Sequence, residues 1–592
     1  APGGLSERSG APLPAADGHG GRNAPGFLFF VSLIRAMTKT TVSFLAIWLL
    51  VFLAYSGLRA HTFQAPLVHD DGLFLSGAQA WAGGELPYRD FWDHKPPGVF
   101  FFHSLPLRLF PFSLPAVKWH QILWLSGSAA LLFTFCRRRF GWLPSLLAFG
   151  LYVFYTSTPV TIQSGGLTEE CALFFVVLCF WLILRVRGTW GWNCFFAGLA
   201  LGTAVEFRQT YVFTTAFLLG ALLHNAHQRG KKLKEVPGSL AAMGLGLVLP
   251  EIFISIYFLA HGAWWDYFEA SYLFNLYYIG PGRTYKPLEE ILSLQWRFIT
   301  STGPYLYAPL LALSTCYWVP KGLRWMTWPL ILAFLGDLVA ISLSGEFYYH
   351  YYVQASVSMC LLLALFFEGF IRGLRSAWGA GLSSPRLWGT GFWGKGIYGL
   401  ALLAATVLPL ISGLERYRSE VHKIMENQRT GEGPYQMQRG VADAVRAMTT
   451  PEDRILLIGR EPNSVYLLSH RYPGNRYYHY SPLWKKKLAA AAKPRHYQAF
   501  LSDLDIDQPA LLLIDQKTLS LESYEEDTGD EKSRLRNQFL DRVNAFLADH
   551  YTPLENVAPF APEDRWFWYD TRLRILVRKD LVEAVRKRLS VS

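Results

Sequence analysis

The residues best equipped for chemistry crowd into one stretch: His69-Asp70-Asp71-Gly72, then Glu85, then Tyr88-Arg89-Asp90-Phe91-Trp92-Asp93-His94-Lys95-Pro96-Pro97. Carboxylates take protons from hydroxyls, and cations stabilise negative charge as it develops. Acids at Asp70, Asp71 and Asp93 beside Lys95 supply both kinds of group. Asp70 and Asp71 with His69 and His94 also offer oxygen and imidazole ligands to a divalent ion. Their spacing matches no recognised metal pattern, so no metal and no other cofactor is expected. The bland alternative is a solvated loop. Further polar groups stand at Glu169 and Glu170, at Arg208 and Gln209, at Asp266 and Glu269, and along Gly345-Glu346-Phe347-Tyr348-Tyr349-His350-Tyr351-Tyr352, with Gln354 beyond.

The frame that positions them must be a membrane one. At 592 residues with 51% hydrophobic and 16% aromatic content, the chain is too apolar for a polar surface to cover a soluble globule. Apolar runs fall at Thr41–Gly57, Trp119–Cys136, Gly141–Val160, Cys171–Leu184, Trp192–Val205, Tyr211–Leu223, Gly238–Ala260, Gly303–Val319, Trp325–Leu343, Tyr351–Ile371 and Ile397–Ile411. That is about eleven spans, several shorter than the ~20 residues a bilayer needs, which must borrow flanking residues or pack inside a bundle. Pro96–Phe112 is read as an interfacial helix on the outer surface, with a re-entrant hairpin as the alternative.

The formal net charge of +11 sits in short clusters between these runs, which argues against a nucleic-acid face and for a topology signal. With the N-terminus inside, Arg35 and Lys39, Arg137 to Arg139, Arg185 and Arg187, Arg229 to Lys234, Lys321 and Arg324, and Arg372 to Lys395 all land on the cytoplasmic side, as positive-inside segments do. An odd span count leaves everything after Ile411 outside, on the same face as the polar groups above. The six cysteines all lie in or beside apolar runs and form no disulfide framework or C-x-x-C pair. Residues 1–36, rich in Gly, Pro and Ala, are expected to be disordered, with Met37 a candidate start.

Three features together, an acidic pair soon after the first span, a Gly-x-x-Pro-Tyr-x-Asp turn and a Lys-Pro-Pro step, resemble the first outer loop of the GT-C glycosyltransferases. The nearest branch is the bacterial one related to protein O-mannosyltransferases and to the aminoarabinose transferase that modifies lipid A. The matching residues are Asp70-Asp71, Gly84-Glu85-Leu86-Pro87-Tyr88-Arg89-Asp90 and Asp93-His94-Lys95-Pro96-Pro97. The resemblance runs on through Glu169, Glu170, Arg208, Gln209 and the segment from Gly345 to Gln354. It departs in two places. Asp71 stands where the family often has Glu, and Lys95-Pro96-Pro97-Gly98 replaces the His-Pro-Pro-Leu-Gly-Lys step of protein-mannosylating members, which disfavours a protein acceptor.

The resemblance implies a mainly α polytopic membrane protein of GT-C type, with about eleven transmembrane helices and a C-terminal soluble α/β domain. Residues 37–414 would form the transmembrane catalytic domain, with its first outer loop at 58–116, and residues 415–592 the extracytoplasmic part. The implied reaction takes a sugar from a polyprenyl-phosphate donor to an acceptor hydroxyl, in one inverting step, at the outer face of the inner membrane. Asp70 matches the family's first acid and is the candidate base, with Asp71 beside it. Asp93 would orient Lys95 or the acceptor. Lys95 and Arg208 would meet the departing phosphate, with His350 and Tyr351 as further donors. Glu169, Glu170, Asp266 and Glu346 are candidates for sugar or acceptor hydroxyls. The expected partners are the lipid-linked donor, a lipid or glycan acceptor and the bilayer, with no nucleic acid.

Trp264 to Tyr278 carries a dense aromatic set, read chiefly as an interfacial belt. Arg283 and Lys286 beyond it are candidate contacts for phosphate or headgroups. Past Glu415 the composition turns soluble, with strands expected at Arg454–Gly459, Ala510–Asp515 and Arg572–Val577 in a partly parallel sheet. No glycine-rich phosphate loop follows Gly459. Lys485 to Lys487 and Arg586 to Arg588 read as solvated basic runs. The competing functions are a transporter, for which the intramembrane acids Glu251 and Asp337 would mark an ion path, and an oligosaccharide ligase.

Overall fold

A computed structural model describes residues 25–67, 69–185, 190–215, 219–221, 223, 236–279, 287–302, 319–343, 347–379, 411–458, 463–478, 483, 493–515, 531–557, 567–568 and 571–591. The described residues divide into two compact units between Leu49 and Leu50, and the described candidate site residues all lie in the second. Helices among the described residues include α1 (Pro25–Leu58), α2 (His69–Ala82), α3 (Gly98–Leu109), α4 (Leu114–Phe140), α5 (Trp142–Tyr155), α6 (Thr168–Arg185), α7 (Trp190–Val205), α8 (Val236–Ala260), α9 (Thr327–Leu343), α10 (Ser356–Gly379), α11 (Pro434–Met448), α12 (Ser464–Ser469), α13 (Lys493–Asp507) and α14 (Glu531–His550). Short 3₁₀ and π turns lie between them.

Among the described residues, four helical stretches are long and apolar enough to cross a membrane: Thr41–Leu58, Val236–Ala260, Arg324–Leu343 and Tyr349–Gly373. Trp142–Tyr155 and Gly191–Val205 are shorter apolar helices. The chain is thus a multi-pass membrane protein. The helix of the first span begins at Pro25, inside the stretch expected to be disordered, because the run from Phe27 to Ile34 is almost wholly apolar and Pro is well placed in a first helical turn. Tyr211–Leu223, read as a span, opens as a 3₁₀ turn over Gln209–Thr214. The expected spans Gly303–Val319 and Ile397–Ile411 lie almost wholly outside the described residues.

Of the most apolar 18 residues in Tyr349–Gly373, 94% are buried, as in a helix enclosed by its neighbours. Helices α7 and α8 approach closely because small residues line their contact: a side chain at Gly198, Gly202 or Gly246 would strike the facing backbone at Met243, Leu247 or Phe195. The expected interfacial helix is α3, which at 12 residues is too short to cross. It exposes Phe101, Leu105 and Leu109 at four-residue spacing and buries Val99, Phe100, His103 and Leu107, the two-faced pattern of a helix lying along a boundary.

The C-terminal strands are β1 (Ile455–Ile458), β2 (Leu511–Asp515), β3 (Tyr551–Pro553), β4 (Phe567–Trp568) and β5 (Thr571–Arg578). The sheet order is β1-β2-β5-β3, with β4 pairing β5 off this path. β1 runs parallel to β2, with Ile455 opposite Leu511, and β5 antiparallel to it, with Val577 opposite Leu511. Four-residue β1 is buried throughout, as expected of a strand covered on both faces. One apolar core joins this sheet to the first long loop, holding Tyr88 and Trp92 with Phe258 and Phe274 and with Leu456 and Leu512.

Helix α2 is gripped directly by the C-terminal part. A side chain at Gly72 would lie 2.8 Å from the backbone nitrogen of Ser464, and one at Gly77 2.5 Å from the Tyr478 hydroxyl. Ser76 donates to the carbonyl of Asn463 (2.8 Å), and Gln438 brackets the backbone of Leu67 with bonds of 3.0 and 2.7 Å. Arg454 reaches Glu85 at 2.8 Å, and the backbone N–H of Trp92 donates to Arg476 (2.8 Å).

Candidate active site

Five chain segments, that of Asp70 included, meet at the site. The acidic pair lies in the first turn of α2, and Glu169 and Glu170 lie in the first turn of α6, where the exposed N–H groups of a helix favour negative charge. Arg208 follows α7, and His350 and Tyr351 belong to a 3₁₀ turn, Tyr349–Ala355, that feeds α10. Lys95 sits in the turn before α3.

The structure gives the two acids of the pair different surroundings. Asp70 keeps its carboxylate partly open, at 30% side-chain exposure, with Oδ2 3.9 Å from Nε2 of His350. Asp71 points inward and is 2% exposed. Its Oδ2 accepts from the hydroxyl and, at 3.2 Å, from the backbone N–H of Ser164. Burial pushes the Asp71 carboxyl up to about 7, while the Lys118 ammonium pulls it down. Lys118 is itself buried and donates to the carbonyls of Ser164 (2.6 Å) and Gly165 (3.3 Å). The loop they share needs glycine at 165 and 166, where φ is +85° and +99° and any side chain would collide with Arg59 or Gln121.

Arg208 is held on three sides. It pairs with Glu169, its Nε donates to the Thr210 hydroxyl (3.0 Å), and its guanidinium lies 4.0 Å from the centre of the Tyr351 ring, a cation–π geometry. His350 stands between the carboxylates of Glu169 (4.0 Å) and Asp70 (3.9 Å). Asp93 is fully buried and accepts from the backbone N–H of Lys95 (2.9 Å). Burial raises its carboxyl to about 7, against the pull of the Lys95 backbone bond and ammonium. The charge of Asp70 is felt at Asp71, Asp93 and His350 alike. Asp70, Asp71, Asp93, Lys95, Glu169, Arg208, His350 and Tyr351 therefore form one cluster.

Two other expected site residues, Glu170 and Asp266, and the nearby Glu269 have different surroundings. Glu170 is turned into the bundle, paired with Arg59 at 2.5 Å and accepting from the N–H groups of Gly166 and Leu167 at 2.6 and 3.3 Å. Asp266 is bound by Arg495 of α13 at 2.6 Å, and Glu269 lies 3.2 Å from His496. Glu346 lies outside the described residues, as do Arg283, Lys286 and Lys485 to Lys487. Among the described residues, no group of three or more His, Cys, Asp or Glu gathers as a metal site.

Sequence reading passed over Arg59, Lys118 and Ser164. The available signal was that Arg59 and Lys118 are cations at span ends on the face where the charge threading leaves few of them. It also passed over a cavity of about 430 Å³ lined by Trp81, Pro97, Phe102, Trp124, Phe207 and Tyr257 among others. The cavity begins at the Lys95-Pro96-Pro97-Gly98 step, where the N–H of Gly98 donates to the carbonyl of Glu206 (2.8 Å).

Residues 94–254 match the family described as dolichyl-phosphate-mannose-protein mannosyltransferase. The chain is similar in fold to ArnT from Cupriavidus metallidurans bound to undecaprenyl phosphate, with a TM-score of 0.54 and 13% identity over 92% of this chain and 99% of that one. The apo state of ArnT gives 0.52 and 12% over 93% and 99%. AglB, an oligosaccharyltransferase from Archaeoglobus fulgidus, gives 0.45 and 11% over 87% and 73%. No protein of curated function matches the chain by sequence.

Proposed function

We propose that this chain, which carries the fold of the GT-C glycosyltransferases, moves a sugar from a polyprenyl-phosphate donor to an acceptor hydroxyl at the outer face of the inner membrane. The observation that carries the reading is the meeting of two unlike surfaces at one step of the chain. Asp93 and Lys95 of the acid and cation cluster stand directly before Pro97 and Gly98, which line the 430 Å³ apolar cavity. A ligand with an anionic head and a long apolar tail satisfies both.

In this reading the acceptor oxygen attacks the anomeric carbon while Asp70, the open member of the acidic pair, takes its proton. The bond from that carbon to the phosphate oxygen breaks, and the released negative charge is met by Lys95 and Arg208, with His350 nearby. Displacement in one step inverts the anomeric centre and requires neither a covalent intermediate nor a metal. Asp71 fixes the start of α2 through Ser164, and Asp93 fixes the Lys95 turn. Glu169 holds Arg208 and remains a candidate for sugar hydroxyls, and a lipid or glycan is favoured over a protein as acceptor. The acids that would have marked an ion path are tied into local bonds: Glu251 accepts from Tyr267 and Tyr272 (2.6 Å each), and Asp337 from Gln354 and Ser358.

The test is transfer of radiolabelled sugar from a panel of polyprenyl-phosphate sugars by the purified full chain in liposomes. Asp70→Asn is expected to lower transfer at least ~100-fold, the lower range for removing a general base. A variant as active as wild type would sink the assignment of the base, and consumption of no donor would sink the reaction class.

A further inference from the structure

Asp337 is an acid inside the membrane-spanning helix α9, 3% exposed, and an acid at such depth is costly unless something uses it. We propose that Asp337 is a positioning residue for Arg208, acting through Gln354 and Thr210. The proposal rests on the reading above, in which Arg208 meets the donor phosphate.

The argument is one of forced direction. A guanidinium only donates, so Nε–H of Arg208 must donate to the Thr210 hydroxyl, at 3.0 Å. The single proton of that hydroxyl then goes to Oε1 of Gln354, at 2.8 Å. This fixes which way the Gln354 amide lies, and its nitrogen donates to Oδ1 of Asp337 (3.1 Å) and to the carbonyl of Thr210 (3.3 Å). Oδ2 of Asp337 accepts from Ser358 at 3.0 Å.

The chain of bonds runs one way from the guanidinium to the acid, and its inner link, from Gln354 to Asp337, is buried away from water, with Gln354 1% exposed. Glu169 and the Tyr351 ring grip Arg208 from other sides. The relay sets the remaining edge, and with it the tilt of the plane offered to a phosphate. Without the Asp337 oxygen, the Gln354 amide is free to turn over. Asparagine at 337 preserves the relay, because its oxygen still accepts from Gln354 while its nitrogen donates to Ser358, whose own proton goes to the Ala355 carbonyl at 3.0 Å.

The experiment is equilibrium binding of undecaprenyl phosphate to the full chain in detergent. Arg208→Ala should weaken binding by roughly 10- to 100-fold, the loss of a charge-assisted contact. Asp337→Ala and Gln354→Ala should each weaken it by about tenfold, and so should Thr210→Val, which removes only a hydroxyl and keeps the shape. Asp337→Asn and Thr210→Ser should stay within about threefold of wild type. In the Arg208→Ala background, Asp337→Ala should cost nothing more, because coupled residues are not additive.

An equal loss in both backgrounds, or wild-type binding by Asp337→Ala, overturns the relay while leaving the glycosyltransferase reading intact. So does an Asp337→Asn variant as weak as Asp337→Ala, which would mark a group needed for its charge. If wild type itself does not bind the lipid, the donor reading fails and the relay falls with it.

Discussion

Asp93 carries its carboxyl at about 7, against an ordinary 3.8, chiefly because it is buried. In the folded chain it therefore holds a proton between pH 4 and 7 that the unfolded chain has released. Stability from this group is greatest below pH 4 and falls as pH rises to 7, since the folded state then binds more protons than the unfolded one. Asparagine keeps the acceptor for the Lys95 N–H but cannot ionise. Between pH 4 and 7, the melting temperature of Asp93→Asn should gain steadily on that of wild type and then level off; parallel curves would show that Asp93 titrates normally. Asp71, raised for the same cause, leaves part of the slope in place. That both acids gather near Lys95 was legible in the sequence because they share one dense loop with it. Their different environments were not, since Ser164 and Lys118 reach Asp71 from distant segments. Asp266 was legible as an acid in an aromatic loop, but its partner, Arg495, belongs to a helix that only the folded chain brings near.

At the scale of elements, α2 is the piece on which the site depends, with acids at its start and glycines along one side. Valine at Gly72 would meet backbone at Ser464, which has no rotamer to yield. The expected cost is about 1–3 kcal/mol, visible as a lower melting temperature together with reduced transfer. Alanine at Gly127, inside α4 where nothing lies within 4 Å, should not destabilise the chain and is expected to add up to about 1 kcal/mol through helix propensity. A Gly72→Val chain as stable as Gly127→Ala would show that the α2 contact is loose. Helix α3 and the three main strands could be read from the sequence because their patterns are local. The 3₁₀ turns at Gln209–Thr214 and Tyr349–Ala355 could not, because an apolar run has the same hydropathy whether it coils tightly or loosely. These turns are what bring Arg208 and His350 to the cluster.

For the whole molecule, the topology proposed from charge places Lys232 inside and Ser592 outside. Alkaline phosphatase fused after Ser592 should be active, and fused after Lys232 inactive; the reverse would mean that one span has been miscounted. The grip of the C-terminal part on α2 has a bearing on how the protein comes into being. The acids at the start of α2 and their clamp at Ser464 are separated by roughly 390 residues, which a ribosome needs about 20–80 s to add. Throughout that interval a nascent chain can thread its helices into the bilayer while α2 lacks the surface that seats it. Seating of α2 then waits on Asn463 and Ser464, so a product stalled or truncated before them sits in the membrane with the start of α2 unclamped.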